Sequence, residues 1–204
     1  MLQVGVCAVL ELVGQVKWVK RKNNVFIKDY SVEKFKSNKP PADSSFQTAQ
    51  EIKQLAKTPI NKKFITEKDD VAGSFKKTAE KAGVKFPKDL VKKLVNDSSS
   101  PIMKLKRHFK RPRPGALAKK MNVKLETVKL NSMRTPAYPS GHSAQGYLIG
   151  SALSKMYPKV KSQFMKTAKD ISDSRNSARA HYKSDSVFGK KLGLDMYNHI
   201  KDDI

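Results

Sequence analysis

A chain of 204 residues suits one domain and can bury a sizeable hydrophobic core. Hydrophobic residues make up 38% of the sequence and aromatic residues 8%, which excludes wholesale disorder. Lys and Arg number 42 against 18 Asp and Glu, so the formal net charge is +24 and we expect the surface to attract anions. No apolar run is long enough to span a bilayer, which excludes an integral membrane protein. The single cysteine, Cys7, excludes an internal disulfide framework and a cysteine-built zinc site.

Residues 1–40 are predicted to form an N-terminal extension added to a helical domain over residues 41–204. Residues 1–16 are apolar but contain Glu11, and no basic residue precedes them. We therefore expect no signal peptide and a soluble protein in the cytoplasm or elsewhere inside the cell. Residues 16–27 alternate in a way that favours a small β-hairpin, although residues 2–16 suit a helix nearly as well. A linker ending in Pro40-Pro41 follows.

Beyond residue 41, apolar side chains recur at helical spacing. Thr66 followed by Asp69 resembles a capped helix start, and Pro112 and Pro114 are expected to stop the helix that precedes them. Helices are predicted over residues 44–57, from Thr66 to about Ala82, from Pro87 to Val95, and over residues 101–110, 142–157, about 160–180 and 186–200. The sequence therefore predicts a mainly α, single-domain helical bundle.

The segment Pro139 to His142 reads P-S-G-H and leads into the predicted helix over 142–157. Free N–H groups at Ser140, Gly141 and His142 would point out of the helix N-terminus, where they favour an anion. Gly141 lets a ligand approach the backbone, the Ser140 hydroxyl adds a donor, and His142 adds a proton donor. The alternative is an ordinary proline-glycine turn with a histidine in solvent.

The segment Ser174 to Asp185 reads S-R-N-S-A-R-A-H-Y-K-S-D. A carboxylate at Asp185 can reach Nδ1–H of His181, four residues earlier, and leave Nε2 free to attack phosphorus or to ligate a metal-oxo anion. Arg175 offers a fork of donors that matches a tetrahedral oxyanion. Taken alone, the segment also fits a helical i,i+4 salt bridge.

The segment Lys106 to Pro114 reads K-R-H-F-K-R-P-R-P and supplies cations just before a proline break. Such a run is also typical of a solvated basic face or of a contact with nucleic acid. Together and in chain order, the three segments resemble the signature K-x6-R-P, P-S-G-H, S-R-x5-H-x3-D of the type 2 phosphatidic acid phosphatase superfamily. That superfamily includes the bacterial class A acid phosphatases and the vanadium haloperoxidases.

The resemblance covers residues from about Lys104 to Gly189 and matches every specified position. One register is ambiguous, because Lys104 with Arg111 fits K-x6-R-P as well as Lys106 with Arg113 does. Two residues along a helix turn a side chain by about 200°, so only one pair can face a pocket. We choose Lys106 and Arg113, since the wording around them resembles that of the acid phosphatases more closely.

The resemblance implies a bundle of the acid phosphatase and vanadium haloperoxidase type that hydrolyses phosphate monoesters of small molecules without a metal or other cofactor. It implies that His181 is the nucleophile, forming a phosphohistidine, and that Asp185 orients it. His142 would protonate the leaving oxygen and then activate water. The implied phosphate ligands are Lys106, Arg113, Ser140, Gly141 and Arg175.

Two other functions remain open at this stage. A vanadium haloperoxidase would hold vanadate in the same pocket with His181 as its axial ligand, although residues 131–138 lack the histidine that bromoperoxidases often carry there. A basic protein that binds nucleic acid, with a vestigial site, would also account for the charge. The charge would further favour contact of a phosphatase with a polyanion or an acidic membrane surface.

Overall fold

The computed structural model describes residue 27 and residues 29–204 of the chain. The predicted mainly α fold is confirmed, and no β-strand occurs in this described part. The predicted hairpin, apart from Ile27, and the alternative helix over 2–16 lie outside it. The α-helices are α1 (Phe46–Lys57), α2 (Lys62–Asp69), α3 (Val71–Lys81), α4 (Lys88–Phe109), α5 (Pro114–Lys120), α6 (Gly141–Met156), α7 (Lys161–Ser177) and α8 (Lys183–Ile200), with short 3-10 helices at Glu33–Phe35, Asn131–Arg134 and Pro158–Val160.

The helix start predicted at Thr66 is wrong, because two other side chains cap helices on either side of it. The Asn61 side chain accepts the N–H of Phe64 at 3.0 Å and opens α2, which contains Thr66. The Asp70 carboxylate accepts the N–H of Gly73 at 2.9 Å and opens α3. Both caps satisfy amides that have no partner inside their helix. The break between the two caps leaves Asp69 as the last residue of α2.

The prolines of the middle segment also behave differently from the prediction. A single helix, α4, runs from Lys88 to Phe109 with Pro101 inside it, and it ends at Lys110, whose φ is +51°. Pro114 does not stop a helix but begins α5, which the sequence analysis missed. Proline suits a first helical position because its fixed φ is helical and the amide hydrogen it lacks would have no partner there. The turn between α4 and α5 carries Arg111 and Arg113.

Helix α6 is the central element, and it packs closely against α7 and α8. Eleven of its residues are buried, from Ser143 to Ser154. A Cβ added at Gly189 of α8 would come within 2.5 Å of the Ser140 carbonyl oxygen, so the absence of a side chain there lets α8 touch the turn that opens α6. This contact brings the P-S-G-H turn to the start of α8, where Asp185 lies.

The described residues before residue 40 pack onto the helical core. Ile27, Tyr30, Val32 and Phe35 are buried in the same hydrophobic cluster as α6 and α8. The Phe35 ring meets the Phe188 ring edge to face, with centroids 5.7 Å apart. The packing of the core therefore extends to the N-terminal side of residue 40. None of the helices seen in residues 29–204 has the length and apolar character needed to cross a bilayer.

Candidate active site

His181 lies between a carboxylate and a guanidinium, and this arrangement fixes its tautomer. Nη1 of Arg113 lies 2.9 Å from Nε2 of His181, and Oδ2 of Asp185 lies 3.3 Å from Nδ1. A guanidinium can only donate hydrogen bonds, so Nε2 must carry a lone pair. Nδ1 therefore holds the proton of the neutral imidazole and points it at the carboxylate. This is the tautomer that a histidine needs to act as a nucleophile through Nε2.

Asp185 belongs to the first turn of α8 and is completely buried. Its Oδ2 accepts the backbone N–H of Tyr182 at 3.0 Å, which satisfies an otherwise unpaired amide at the helix N-terminus. Its backbone oxygen accepts the N–H of Ser140 at 3.0 Å. The same residue thus orients His181 and ties α8 to the P-S-G-H turn.

The two candidate pairs for K-x6-R-P occupy different places. Lys104 is exposed, and Arg111 is buried with Nη1 2.6 Å from Oδ1 of Asp185, behind the imidazole. Lys106 is 4% exposed, and its Cε lies about 4.0 Å from the position that a Cβ on Gly141 would take. Arg113 contacts Nε2 of His181 and donates to the carbonyl oxygens of Thr135 and Ala180. Lys106 and Arg113 therefore lie beside the imidazole and the glycine turn, as their chosen register requires.

The P-S-G-H turn opens α6 with Ser140 as its N-cap, not with the histidine. The prediction of a free N–H at Ser140 is wrong, because that amide is bonded to the Asp185 carbonyl oxygen. Oγ of Ser140 is buried and accepts the N–H of Ser143 at 3.3 Å, which leaves its own hydrogen for another acceptor. The N–H groups of Gly141 and His142 have no acceptor among the described residues. The donors left for an anion here are thus the Gly141 and His142 amides and the Ser140 hydroxyl.

Asp69 is a site residue that the sequence analysis missed. Its Oδ1 lies 2.5 Å from Nη1 of Arg175 and 3.4 Å from Nε2 of His142. Nε2 of His142 also lies 3.1 Å from the Asp69 backbone oxygen, which can only accept, so that nitrogen carries a proton. These contacts hold the pKa of the Asp69 carboxyl well below its usual range, with the His142 hydrogen bond as the largest cause and Arg175 adding to it. No motif marks Asp69, since it reaches the site only through the break between α2 and α3.

Arg175 is buried and has donors to spare. Its Nη1 contacts Asp69, whereas Nε and Nη2 are buried without a hydrogen-bond partner in the described part of the chain. Burial lowers the pKa of its guanidinium, and the hydrogen bond and charge of Asp69 act in the opposite direction. Unpaired buried donors are costly to a folded protein, so such groups are expected to have a ligand.

The positive groups act together on His181. Burial is the main reason why the pKa of His181 lies well below its usual range, and the charges of Arg113 and Lys106 lower it further. His142 and Arg175 act in the same direction. The imidazole is therefore neutral at neutral pH, in a setting where a nearby oxyanion would be stabilised.

Several of the cations are held by protein groups in this structure. Nζ of Lys106 donates to the Pro136 carbonyl oxygen at 2.5 Å, Arg113 to His181, and Arg175 to Asp69. A cavity of about 560 Å³ lies nearby against Glu51 and Ser184, but none of the predicted phosphate ligands lines it. An oxyanion bound among the cations would have to exchange these contacts for its own.

Neither the arrangement of metal-ligating side chains nor the comparison with known proteins identifies a ligand for this site. In residue 27 and residues 29–204, no group of three or more His, Cys, Asp or Glu side chains is arranged to hold a metal ion. No protein-family model matches the chain, and no curated protein matches it. The resemblance of the three motifs therefore stays an expectation, and the function has to be inferred from the site itself.

Proposed function

We propose that this protein is a phosphatase that hydrolyses phosphate monoesters through a phosphohistidine on His181, using side-chain cations in place of a metal ion. The observation that carries the proposal is the pair of contacts on the His181 ring, with Asp185 at Nδ1 and Arg113 at Nε2. They leave the lone pair of Nε2 facing a guanidinium that could turn to a phosphoryl oxygen. Few structural roles of a histidine require that arrangement beside two further buried cations.

In the first step, Nε2 of His181 attacks phosphorus, an N–P bond forms and the P–O bond to the leaving group breaks. The proton on Nε2 of His142 goes to the leaving oxygen, so the alcohol departs neutral. Asp185 accepts the hydrogen bond from Nδ1–H and stabilises the positive charge that the ring acquires. In the second step, His142 takes a proton from water, the resulting hydroxide attacks phosphorus, and the N–P bond breaks to release phosphate.

The electrostatic contribution would come from donors that already lie close to His181 and the glycine turn and that exchange their protein partners for the phosphate. Lys106, Arg113 and Arg175 would bind the non-bridging oxygens, together with the Ser140 hydroxyl and the Gly141 amide. Because these donors are partly or fully buried, their interaction with a growing negative charge is stronger than it would be in water. In phosphoryl transfer, such positioning and charge stabilisation supply most of the catalysis.

The net charge of +24 should increase the rate at which an anionic substrate reaches the site. A strongly positive surface raises the rate at which small anions reach a cationic site, and salt reduces that rate. The same charge favours non-specific contact with polyanions or an acidic membrane surface. We therefore propose a phosphorylated small molecule as the substrate and expect kcat/KM to fall as ionic strength rises.

The test is hydrolysis of an aryl phosphate by the full chain and by His181→Ala, with chelator present throughout. We expect turnover by the wild type and none above background by His181→Ala, whose helical circular dichroism should be unchanged. His199→Ala is the matched control, because His199 lies in the last turn of α8 and packs against the Tyr30 ring. Orthovanadate should compete with the substrate. Retention of most activity in His181→Ala, or no turnover of any phosphate ester by the wild type, would refute the proposal.

A further inference from the structure

Arg111, the arginine left over from the K-x6-R-P register, is one of the most deeply buried side chains in the described structure. It is 2% exposed, and its guanidinium lies 3.8 Å from the centre of the Tyr182 ring. Nη1 donates to Oδ1 of Asp185 at 2.6 Å and to Oγ of Ser184 at 2.7 Å. Nη2 donates to Glu51 at 3.2 Å and to Thr48 at 3.3 Å. Burying a charge this deeply is costly unless it is paired, and here two carboxylates pair it.

Glu51 extends this network from α1 to the start of α8. Its Oε1 accepts the backbone N–H of Ser184 at 2.6 Å, and its Oε2 accepts the Ser184 hydroxyl at 2.8 Å. Oε2 also accepts a hydrogen bond from Arg111. Every contact that the described structure shows for this carboxylate is therefore with Arg111 or Ser184, next to Asp185. Glu51 and Arg111 together clamp the first turn of α8, the turn that carries Asp185.

The clamp bears directly on the charge of Asp185. Burial raises the pKa of this carboxyl, and the charge of Arg111, the backbone N–H of Tyr182 and the hydrogen bond from Arg111 oppose that rise. An ionised Asp185 accepts a hydrogen bond from Nδ1–H of His181. A protonated Asp185 could instead donate its O–H to Nδ1 and favour the other tautomer. Loss of Arg111 would therefore weaken both the orientation and the tautomer preference of the imidazole.

We infer that Arg111 and Glu51 are positioning residues: Arg111 keeps Asp185 ionised and aimed at Nδ1, and Glu51 holds Arg111 and the Ser184 turn in place, so that His181 presents the lone pair of Nε2. The role in turnover rests on the proposed phosphatase function, but the effect on the tautomer does not. Neither residue contacts the predicted phosphate ligands in the described structure. The binding of an anion in front of the imidazole should therefore be nearly independent of the clamp.

The experiment compares the wild type with Arg111→Met and Glu51→Gln in three measurements. The first is the ¹⁵N chemical shifts of the His181 ring, which report the tautomer whether or not the protein turns over. The second is the dissociation constant for inorganic sulfate, and the third is the pH profile of aryl phosphate hydrolysis. Thr48→Val is the matched control, because it removes a neutral contact of Arg111 and leaves both carboxylates in place.

We expect the wild type to show Nδ1–H only and Arg111→Met to show a mixture of tautomers. Outer partners of a catalytic group are typically worth about 10- to 100-fold in activity, and we expect a fall in kcat of that size with the sulfate dissociation constant changed less than about twofold. The acid limb of the profile should move to higher pH, because Asp185 would take up a proton more easily. Glu51→Gln should show a smaller fall in kcat and a smaller fraction of the second tautomer, because Arg111 and the Ser184 turn are held less firmly. Its acid limb should not move to higher pH, because the substitution removes a negative charge. Thr48→Val should keep the wild-type tautomer, kcat and pH profile.

The inference is overturned if folded Arg111→Met keeps the wild-type tautomer and acid limb, or if folded Glu51→Gln keeps the wild-type tautomer and kcat. If Arg111→Met does not fold, Glu51→Gln alone decides, since glutamine retains the shape and an acceptor oxygen. Absence of turnover in the wild type would refute the phosphatase proposal, whereas an unchanged His181 tautomer would refute the clamp.

Discussion

Replacing Lys106 with methionine should make the protein more stable, and the gain should depend on pH in a predictable way. The Lys106 ammonium is 4% exposed and has a carbonyl oxygen as its hydrogen-bond acceptor. Burial, with Arg113 adding to it, lowers the pKa of this lysine from 10.5 to about 7. The folded protein therefore carries a proton on Lys106 at a cost that the unfolded chain does not bear.

The size of the effect follows from the two pKa values. Between pH 7 and pH 9 the unfolded lysine keeps its proton and the folded one loses it, so the wild type becomes more stable as pH rises. At pH 7 half of the folded molecules are already neutral, so the difference in bound protons, summed from pH 7 to pH 9, is equivalent to about 1.7 pH units. At about 1.36 kcal/mol per pH unit, this is about 2 kcal/mol in the free energy of unfolding. The stability advantage of Lys106→Met over the wild type should shrink by that amount across this range.

The assay is urea unfolding followed by circular dichroism at pH 7, 8 and 9 for the wild type, Lys106→Met and Lys104→Met. Taking differences between proteins cancels the titration of groups that the variants share. Lys104 is exposed, so Lys104→Met is the matched control for exchanging a lysine for methionine outside the core. A difference between Lys106→Met and the wild type that stays constant from pH 7 to pH 9 would show that Lys106 keeps its proton at pH 9, and the reasoning about its burial would then be wrong.

Three further predictions concern the same site. Sulfate affinity, measured by calorimetry, should weaken by up to about tenfold per pH unit above pH 7, because Lys106 must then take up a proton to bind; a flat profile would mean that Lys106 takes no part. Asp69→Asn should bind sulfate more tightly, since a negative charge leaves Arg175, but should lower kcat because His142 loses the nearby carboxylate charge that favours its protonated form; weaker sulfate binding would contradict this. Gly189→Ala should lower the free energy of unfolding by about 1 to 3 kcal/mol, since its Cβ would meet the backbone of the turn at 2.5 Å; denaturant titration showing no loss would contradict the close packing of α6 and α8.

The sequence predicted most helices well because their buried faces recur at regular spacing. Spacing alone could not predict that the Ser140 amide is hydrogen-bonded to the Asp185 carbonyl oxygen, because this bond depends on how closely α8 approaches α6. Wrong boundaries arose at Thr66, at Pro114 and between the helices predicted over 87–95 and 101–110, which form the single helix α4. Capping residues or prolines compete there within a few positions. Local propensity ranks such competitors poorly when tertiary contacts choose between them.

The same limit separates the predicted site residues from those that were missed. Six of the predicted site residues stand in motifs, and their side chains lie in one region of the structure: Lys106, Arg113, His142, Arg175, His181 and Asp185. Asp69 and Glu51 reach that region from helices whose local patterns carry no chemistry of their own. Arg111 was visible only as a competing register, because a sequence shows that two arginines fit one motif but not that one contacts Asp185 and the other His181.

The most direct test of the account is to trap the covalent intermediate. The protein is mixed with an aryl phosphate, quenched in alkaline denaturant that preserves phosphohistidine, and mapped by peptide mass spectrometry. We predict a phosphoryl group on His181 of the wild type and a larger amount in His142→Asn, because an aryloxide can leave without the His142 proton whereas water still has to be activated. Turnover with His181 unmodified in both proteins, or with the phosphoryl group on another residue, would contradict the assignment of His181 as the nucleophile.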